Sequence, residues 1–190
     1  FPHAGTDCHE HAFVSDRDEF FRTPAVEIGS ARAMELAGVG IDDIDHIDLY
    51  SCFPSAVQLG AKSLGLNPYS DERQLTQTGG LAFAGGPWNN YVMHAIAAMV
   101  RRLRDDAGSR GLVWANGGYA TKHAFGVYST EPPATPFRHD VPQETIDALP
   151  RRSAVAPADL DDPSGRIEAY TVMHERDGSP GNAWAAVRVA

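Results

Sequence analysis

Helical and strand patterns alternate between Pro24 and Ser129, and this alternation constrains the fold more than any other feature of the 190-residue sequence. From Pro24 onward the apolar spacing, capping residues and glycine positions predict the order α-β-α-loop-α-β-β. Elements that alternate in this way pack their helices against a sheet. The sequence therefore predicts an α/β domain. Residues 1–23 are polar and irregular, and we expect them to form a loop.

The longest predicted helix follows a glycine-rich loop and carries a single apolar stripe. The stripe consists of Val92, Ile96, Met99, Val100 and Leu103. Three arginines lie near its carboxyl end, where cations interact favourably with the helix dipole. We therefore expect a helix over residues 89–104 that buries Ile96, Met99 and Leu103 in the core.

The composition changes after Ser129, where seven of the thirteen prolines fall in two segments. We interpret residues 131–165 as a proline-rich linker or arm. Residues 166–190 contain two alternating runs separated by Asp177-Gly178, which is typical of a hairpin turn. We expect this tail to be the start of an additional, truncated β domain. The predicted domains are thus 1–130, 131–165 and 166–190.

Charge and cysteine content exclude several classes of protein. Lys and Arg number 16 against 25 Asp and Glu, which gives a net charge of −9 and argues against nucleic-acid binding. No window approaches the ~18 apolar residues of a membrane span. The first residues do not resemble a signal peptide, and Cys8 and Cys52 are expected to be reduced thiols in the cytoplasm. Because the chain begins with Phe1, we expect it to be processed or part of a longer protein.

The strongest candidate site is Tyr50-Ser51-Cys52-Phe53, where a predicted strand ends and a helix begins. Side chains at this edge of an α/β sheet face the crevice in which ligands bind. A helix N-terminus also lowers the pKa of a thiol. Cys52 is therefore a candidate acid/base or nucleophile, and the alternative is a small cysteine buried in the core.

Other candidates lie in the loops. Three glycine pairs, Gly79-Gly80, Gly85-Gly86 and Gly117-Gly118, allow either close approach of a ligand or an ordinary turn, and their spacing fits neither a P-loop nor a Rossmann motif. His123 is a candidate acid or base, or a hydrogen-bonded loop histidine. Trp88 is expected to pack the following helix rather than line a pocket.

A metal site is not predicted. Cys8 and His11 have zinc-like spacing, but no second pair of ligands follows nearby. We expect this part of the chain to be a solvated loop.

Three segments in order resemble the C-terminal half of a thiolase: ELAGVGIDDIDHIDLYSCFPSAVQLGAKSLGL, TGGLAFAGGPWNNYVMHAIAAMVRRL and GLVWANGGYATKHAFGVYS. The resemblance covers about residues 1–130 and is to the sterol-carrier-protein-2-type thiolase-like proteins, often labelled acetyl-CoA acetyltransferases. It implies the C-terminal half (βαβαβαββ) of the thiolase fold, followed by an arm. The tail resembles part of the small β-barrel domain of some bacterial members.

The same resemblance places three catalytic motifs on this sequence. The Asn-Glu-Ala-Phe motif, which is His-Asp-Cys-Phe in the sterol-carrier type, falls on Tyr50–Phe53. The Gly-His-Pro motif falls on Gly85-Gly86-Pro87, and Gly86 stands where the histidine is expected. The Cys-x-Gly motif falls on Asn116-Gly117-Gly118, and Asn116 stands where the acid/base cysteine is expected. The resemblance thus implies that two catalytic side chains are replaced and that ordinary thiolysis is lost.

What the resemblance implies is a thiolase-like acyl-CoA protein of lipid or sterol metabolism, with a CoA thioester as ligand and no further cofactor. Three alternatives stay open: an enzyme with altered chemistry, such as an acyl-CoA retro-aldolase using Tyr50 and Tyr119; a non-catalytic CoA-binding protein; and an assembly subunit. Expected partners are an N-terminal thiolase half and a second copy of the chain. The catalytic candidates are Cys52, Tyr50, Tyr119 and His123, and the substrate-binding candidates are Ser51, Phe53, Gly85, Gly86, Asn116, Gly117 and Gly118. We expect Cys52 and Asn116 to lie close together, with Gly86 nearby.

Overall fold

A computed structural model of the protein describes residues 1–159 and 164–189. The chain divides into two compact units. The first unit contains Phe1–Ala12 and Phe21–Leu149, and the second contains Phe13–Phe20 and Pro150–Ala190. Among the described residues, no helix has the length and apolar character needed to cross a membrane.

A five-stranded mixed sheet forms the centre of the first unit. Its strands are β1 (Pro2–His9), β2 (His46–Asp48), β3 (Arg110–Gly117), β4 (Lys122–Ser129) and β5 (Arg138–Asp140). They lie in the order β2-β3-β4-β1-β5. The pairs β3–β4 and β1–β4 are antiparallel, whereas β2–β3 and β1–β5 are parallel. The predicted α/β class is therefore confirmed.

The helices follow the predicted order. They are α1 (Pro24–Ala37), α2 (Pro54–Ser63), α3 (Leu81–Ala84), α4 (Tyr91–Asp105) and α5 (Gln143–Asp147). Both α1 and α2 begin with a proline, which lacks the N–H that a first helical turn leaves unbonded. Each is followed by a glycine in the left-handed region, Gly38 with φ 72° and Gly65 with φ 73°, where other residues are strained. The local sequence therefore sets both ends of these helices.

Strand β1 was not predicted, because residues 1–23 were expected to form a loop. It lies in the interior of the sheet, between β4 and β5. Its buried residues are small or polar, and Thr6 donates a hydrogen bond to the carbonyl of Gly29 at 2.8 Å. Helix α1 lies so close that a Cβ at Gly29 would be 2.8 Å from the Cys8 sulfur. Large apolar side chains do not fit under this helix, so the usual alternation that marks a strand is missing.

Two hydrophobic clusters lie in the first unit. One contains Ile44, Ile47, Leu49, Leu112, Trp114, Phe125 and Val127 together with residues of α1 and α2. The other joins α4 to the sheet through Tyr91, Ala95, Met99, Leu103 and Val113. The α4 stripe is thus confirmed for Met99 and Leu103, while Ile96 is half-buried beside the cluster.

The predicted arm contains ordered elements. Strand β5 pairs with β1, and helix α5 places Ile146 fully in the core of the first unit. The Arg32 guanidinium forms an ion pair with Asp140 at 2.5 Å. Residues 160–163, which also belong to the predicted arm, lie outside the described residues.

The second unit contains a hairpin of β6 (Gly165–His174) and β7 (Pro180–Val189). The predicted turn is present: Gly178 has φ 85°, and Asp177 accepts hydrogen bonds from the N–H and hydroxyl of Ser179. Within this unit Arg152 pairs with Asp18 and Glu168. Residue 190 of the predicted tail lies outside the described residues.

We predict that Gly60→Ala destabilises the protein, although the same change inside a helix ordinarily stabilises it by about 1 kcal/mol. A Cβ at Gly60 would lie 2.5 Å from Cζ3 of the fully buried Trp114. We expect this overpacking to cost about 1–3 kcal/mol in urea unfolding. The control is Gly40→Ala, where the nearest atom is an exposed Asp43 oxygen at 3.7 Å. A Gly60→Ala protein as stable as the parent would contradict the close packing of α2.

Candidate functional site

A pocket of about 280 Å³ opens at one end of the sheet in the first unit. Its walls come from residues 7–9 of β1, 115–117 of β3 and 122–124 of β4. Tyr50 after β2 and side chains at the start of α4 complete it. Four parts of the chain that are distant in sequence therefore meet at one concave surface.

Asn116 lies in the pocket wall, opposite His123 in the β3–β4 pair. Its side-chain oxygen is buried and has no hydrogen-bond partner among the described residues. Buried acceptors are normally paired, and an unpaired one loses free energy. Asn116 therefore brings to the pocket wall an acceptor that no described group of the protein satisfies.

Two tyrosines stand side by side in the same pocket. The rings of Tyr50 and Tyr91 pack edge to face, with centroids 5.4 Å apart. Burial raises the pKa of Tyr50, and the neighbouring Cys52 and Tyr91 raise it further. The Tyr91 hydroxyl lies 2.6 Å from that of Thr78. Tyr50 therefore presents a protonated phenol that can donate a hydrogen bond.

Both ring nitrogens of His123 contact other groups of the protein. Its Nδ1 accepts the indole N–H of Trp114 at 3.2 Å, and its Nε2 lies 3.2 Å from the carbonyl oxygen of Ala120. With Nδ1 as the acceptor, the proton of the neutral ring is on Nε2. Both nitrogens are thus engaged with the protein, which corresponds to the hydrogen-bonded histidine expected as one of the two alternatives.

Cys52 does not behave as expected from its place before a helix. The helix begins at Pro54, so Cys52 lies one residue outside the cap, and Pro54 has no N–H to offer. The thiol is partly desolvated, and this raises its pKa despite a hydrogen bond from the Phe53 N–H. The residue is exposed and is not part of the pocket wall. The prediction of a lowered thiol pKa at Cys52 is therefore wrong.

Of the remaining predicted residues, some line the pocket and others lie outside its wall. Gly117 lines it, whereas Gly118 forms the β3–β4 turn with φ 66° and Tyr119 beside it is 84% exposed. Gly86 is outside the wall, and a Cβ there would touch only the side chain of Leu81, at 3.5 Å. Space therefore does not require glycine at this position.

The turn before α2 contacts the glycine-rich loop. The carbonyl of Ser51 accepts the N–H of Leu81 at 3.4 Å, and Phe53 is exposed as the residue that caps α2. Gly85 has φ 83°, which favours glycine. Trp88 lines the pocket at its rim and is 92% exposed, so the packing role expected for it is wrong.

The environment of Cys8, which has zinc-like spacing to His11, also argues against a metal role. The Cys8 thiol is buried under α1, donates to the carbonyl of Ala25 and has a pKa raised to about 12 by burial. A thiol that stays protonated is a poor metal ligand. Across the residues that the structure describes, no group of three or more His, Cys, Asp or Glu is arranged to hold a metal ion.

Asp48 was missed by the sequence analysis. It is fully buried, and one carboxylate oxygen accepts the N–H groups of Gln77 at 2.6 Å and Thr78 at 3.3 Å. Burial raises its pKa to about 6. An acidic residue between Ile47 and Leu49 was the available indication, because a charge between two apolar strand residues needs a reason. The β1 residues of the pocket were missed because that strand was missed.

The chain is similar to proteins of known family and structure. The family described as thiolase C-terminal domain-like matches residues 6–130, which is more than half of the chain. The chain belongs to the thiolase superfamily. Among solved structures, a monomeric SCP2-thiolase-like protein type 1 from Mycobacterium smegmatis matches 95% of the chain with 36% identity and a TM-score of 0.80. No curated protein matches the sequence.

This thiolase-superfamily chain is thus SCP2-thiolase-like, as the three sequence motifs predicted. It corresponds to 42% of the length of the mycobacterial protein. The pocket of the thiolase-like unit is lined by Tyr50 and Asn116, whereas Gly86 lies outside its wall.

We predict that only one of the two thiols reacts in the native protein. Cys52 is exposed, whereas Cys8 is buried with a pKa of about 12. Ellman's reagent at pH 8 should label one thiol per native chain and two after unfolding in guanidinium. Cys52→Ala should abolish the native reaction, and Cys8→Ala should leave it unchanged. Rapid labelling of Cys8 in the native state would show that β1 opens readily.

We also predict a pH-dependent stability term from Asp48. Burial raises its pKa from an ordinary 3.8 to about 6 in the folded protein, so the folded state favours the protonated carboxyl. The free energy of unfolding should therefore fall by about 2–3 kcal/mol from this residue as pH rises from 4 to 6.5. Asp48→Asn should remove this decline in urea unfolding measured at several pH values.

The matched control is Asp71→Asn. Arg73 lowers the pKa of Asp71 to about 2, so this residue stays ionised throughout the same range. Its variant should keep the decline between pH 4 and 6.5. Equal slopes in the parent and in Asp48→Asn would contradict the burial of an ionisable Asp48.

Proposed function

We propose that the chain is the C-terminal part of a thiolase-like acyl-CoA protein of lipid or sterol metabolism that does not carry out ordinary thiolysis. The observation that carries this proposal is Asn116, which lines the pocket and leaves its side-chain oxygen unpaired among the described residues. The motif resemblance aligns Asn116 with the family's acid/base cysteine. An amide cannot remove the α-proton of a thioester, but it can bind a donor group.

Cys52 does not replace the missing base. Its pKa is raised and it lies outside the pocket wall, so it neither ionises readily nor reaches the bound group from the wall. Gly86 supplies no side chain for an oxyanion. Loss of one oxyanion donor alone typically costs ~10²–10³ in rate. These replacements together favour binding or a different reaction over thiolysis.

The rim of the site supports a role for a further part of the protein. Phe53, Phe83 and Trp88 are largely exposed on the segments that surround the pocket. Exposed apolar groups of this kind mark surfaces that contact another protein region or a ligand. The solved relative is more than twice as long as this chain. We propose that an N-terminal thiolase half covers this rim and completes the CoA site, and that the protein acts in the cytoplasm.

One observation favours a second function, cleavage of a carbon–carbon bond in a 3-hydroxyacyl-CoA. The Tyr50 phenol, protonated because its pKa is raised, shares the pocket with the unpaired oxygen of Asn116. Asn116 would accept a hydrogen bond from a water molecule that takes the 3-hydroxyl proton. As the Cα–Cβ bond breaks, C3 becomes the carbonyl carbon of the released aldehyde or ketone and the electron pair passes to the thioester enolate. Tyr50 protonates the enolate at Cα, and the proton taken up by water returns to the Tyr50 phenolate. Tyr119, the other candidate, is exposed and lies outside the pocket.

Binding is tested first, on the full-length protein. Isothermal titration should show that a 3-hydroxyacyl-CoA and the matching acyl-CoA without the hydroxyl both bind. Asn116→Ala should lower the affinity for the 3-hydroxyacyl-CoA by about 2–10-fold more than the affinity for the acyl-CoA without the hydroxyl. This difference is the loss expected for one hydrogen bond. No binding of any CoA compound would refute the proposal and leave the assembly-subunit alternative.

Catalysis is tested by product analysis with the same 3-hydroxyacyl-CoA. We predict that Tyr50→Phe lowers formation of the shortened acyl-CoA by about 10²-fold or more, because the acid is removed. Tyr119→Phe is the matched control and should keep most of the activity. Equal losses in both variants would contradict the assignment of Tyr50, and binding without products would leave a non-catalytic protein.

We further predict that Gly86→His alone does not restore thiolysis. The position has room for a side chain, so the variant should fold. The thiolase reaction still lacks a base at Asn116, and acetyl-CoA formation from 3-ketoacyl-CoA and CoA should stay at the parent level. Full turnover from this single change would show that the acid/base is elsewhere.

A further inference from the structure

We propose that Asp48 is a positioning residue of the pocket: its ionised carboxylate holds the start of the glycine-rich segment, Thr78–Gly86, and protonation loosens that hold. The restraint of this segment by Asp48 does not depend on the proposed function. Only its predicted effect on ligand binding rests on the proposed function.

The carboxylate contacts the backbone directly before this segment turns. One oxygen accepts the N–H of Gln77 at 2.6 Å and that of Thr78 at 3.3 Å, and the other has no hydrogen-bond partner among the described residues. Hydrogen bonds to an ionised acceptor are about twice as strong as neutral ones. The charge on Asp48 therefore determines how firmly these two amides are held.

Thr78 passes this restraint on to the pocket. Its hydroxyl oxygen accepts the N–H of Gly80 at 3.2 Å and lies 2.6 Å from the hydroxyl of Tyr91. The ring of Tyr91 packs edge to face on Tyr50, and both rings line the pocket. A shift of Thr78 would therefore move the hydroxyl contact that orients Tyr91 and, through the ring contact, Tyr50.

Glycine makes the segment responsive to such a shift. Gly79 and Gly80 have φ values of 79° and 101°, and the backbone there has no side chain of its own to anchor it. Gly80 lies near Ser51, since a Cβ on it would be 3.7 Å from the Ser51 hydroxyl oxygen. The carboxylate of Asp48 is thus a charged acceptor that fixes the beginning of the glycine-rich segment.

Other titratable and charged groups pack near Asp48 on each neighbouring element. On α4, burial raises the pKa of the Tyr91 phenol, and the Asp48 carboxylate raises it further. On β3 its partner is the apolar Val113. On β2 itself, His46 is bonded to Asp106 and lies 3.4 Å from Arg102 of α4. In the loop that precedes the glycine-rich segment, Asp71 and Arg73 form an ion pair with each other.

A neighbouring contact limits the effect. The N–H of Leu49 donates to the carbonyl of Leu75 at 2.7 Å, and the side chain of Gln77 donates to the carbonyl of Ile47 at 3.0 Å. Neither bond involves the carboxylate. These contacts keep residues 75–77 beside β2 when Asp48 is protonated, so the loosening is confined to the amides of Gln77 and Thr78 and the glycines that follow.

The experiment is a pH titration of backbone amides by NMR on the full chain. The amide protons of Gln77 and Thr78 should move downfield together as pH rises, with a midpoint near 6. Their hydrogen-exchange protection, corrected for intrinsic rates, should fall by about tenfold between pH 7 and pH 5. The Leu49 amide is the internal control and should change little. Flat shifts for Gln77 and Thr78 would overturn the proposal without any variant being made.

Variants separate charge from structure. In Asp48→Asn the two amides should show the low-pH behaviour at every pH, while Asp71→Asn should titrate like the parent. Unchanged titration in Asp48→Asn would overturn the proposal, because another group would then be responsible. If the Asn variant does not fold, the side-chain carboxyl carbon of Asp48 is followed by NMR in the parent. It should titrate with the same midpoint as the two amides, and a different midpoint would overturn the proposal.

Ligand binding forms a separate arm. The affinity of the full-length protein for the acyl-CoA should fall between pH 7 and pH 5 in the parent, and Asp48→Asn should show the weaker affinity at both pH values. Absence of binding at any pH with titrating amides would refute the proposed function and leave the role of Asp48 intact. Binding that is independent of pH in the parent, with titrating amides, would refute the link between Asp48 and the pocket.

Discussion

The indole of Trp114 connects the hydrophobic core of the first unit with the pocket, and much of the structure depends on how it is packed. It is fully buried in β3, stacks on Phe125 of β4 with the rings 6° from parallel, and lies against Gly60 of α2. Its N–H holds His123, the residue opposite Asn116. The same side chain thereby sets the distance of a helix from the sheet and orients one pocket residue, His123.

The pocket takes its shape from the strands and helices rather than from the residues at the motif positions. Nothing in the packing requires Gly86 to be a glycine, and Asn116 leaves an acceptor unpaired rather than filling the pocket. The concave surface with its two tyrosines persists because strands and α4 build it from the backbone and from the core.

Much of the fold is visible in the sequence where large apolar residues recur at regular spacing. Helix α4 is an example, because Met99 and Leu103 repeat on one face and pack on Val113. Strand β1 is the counterexample: it is an interior strand, but the close approach of α1 at Gly29 selects small and polar residues for it. Periodicity cannot reveal a strand whose neighbours exclude large side chains. The pocket residues it supplies were lost to prediction for the same reason.

The sequence by itself determined the helix ends, the hairpin turn at Asp177-Gly178 and the family, since each depends on residues adjacent in the chain or on segments in a fixed order. It also showed which residue types stand at the motif positions. Only the tertiary structure decided their chemistry. Desolvation raises the pKa of Cys52, two hydrogen bonds engage His123, and burial raises the pKa of Asp48. A side chain's charge and partners depend on groups brought from distant segments, and local sequence does not contain them.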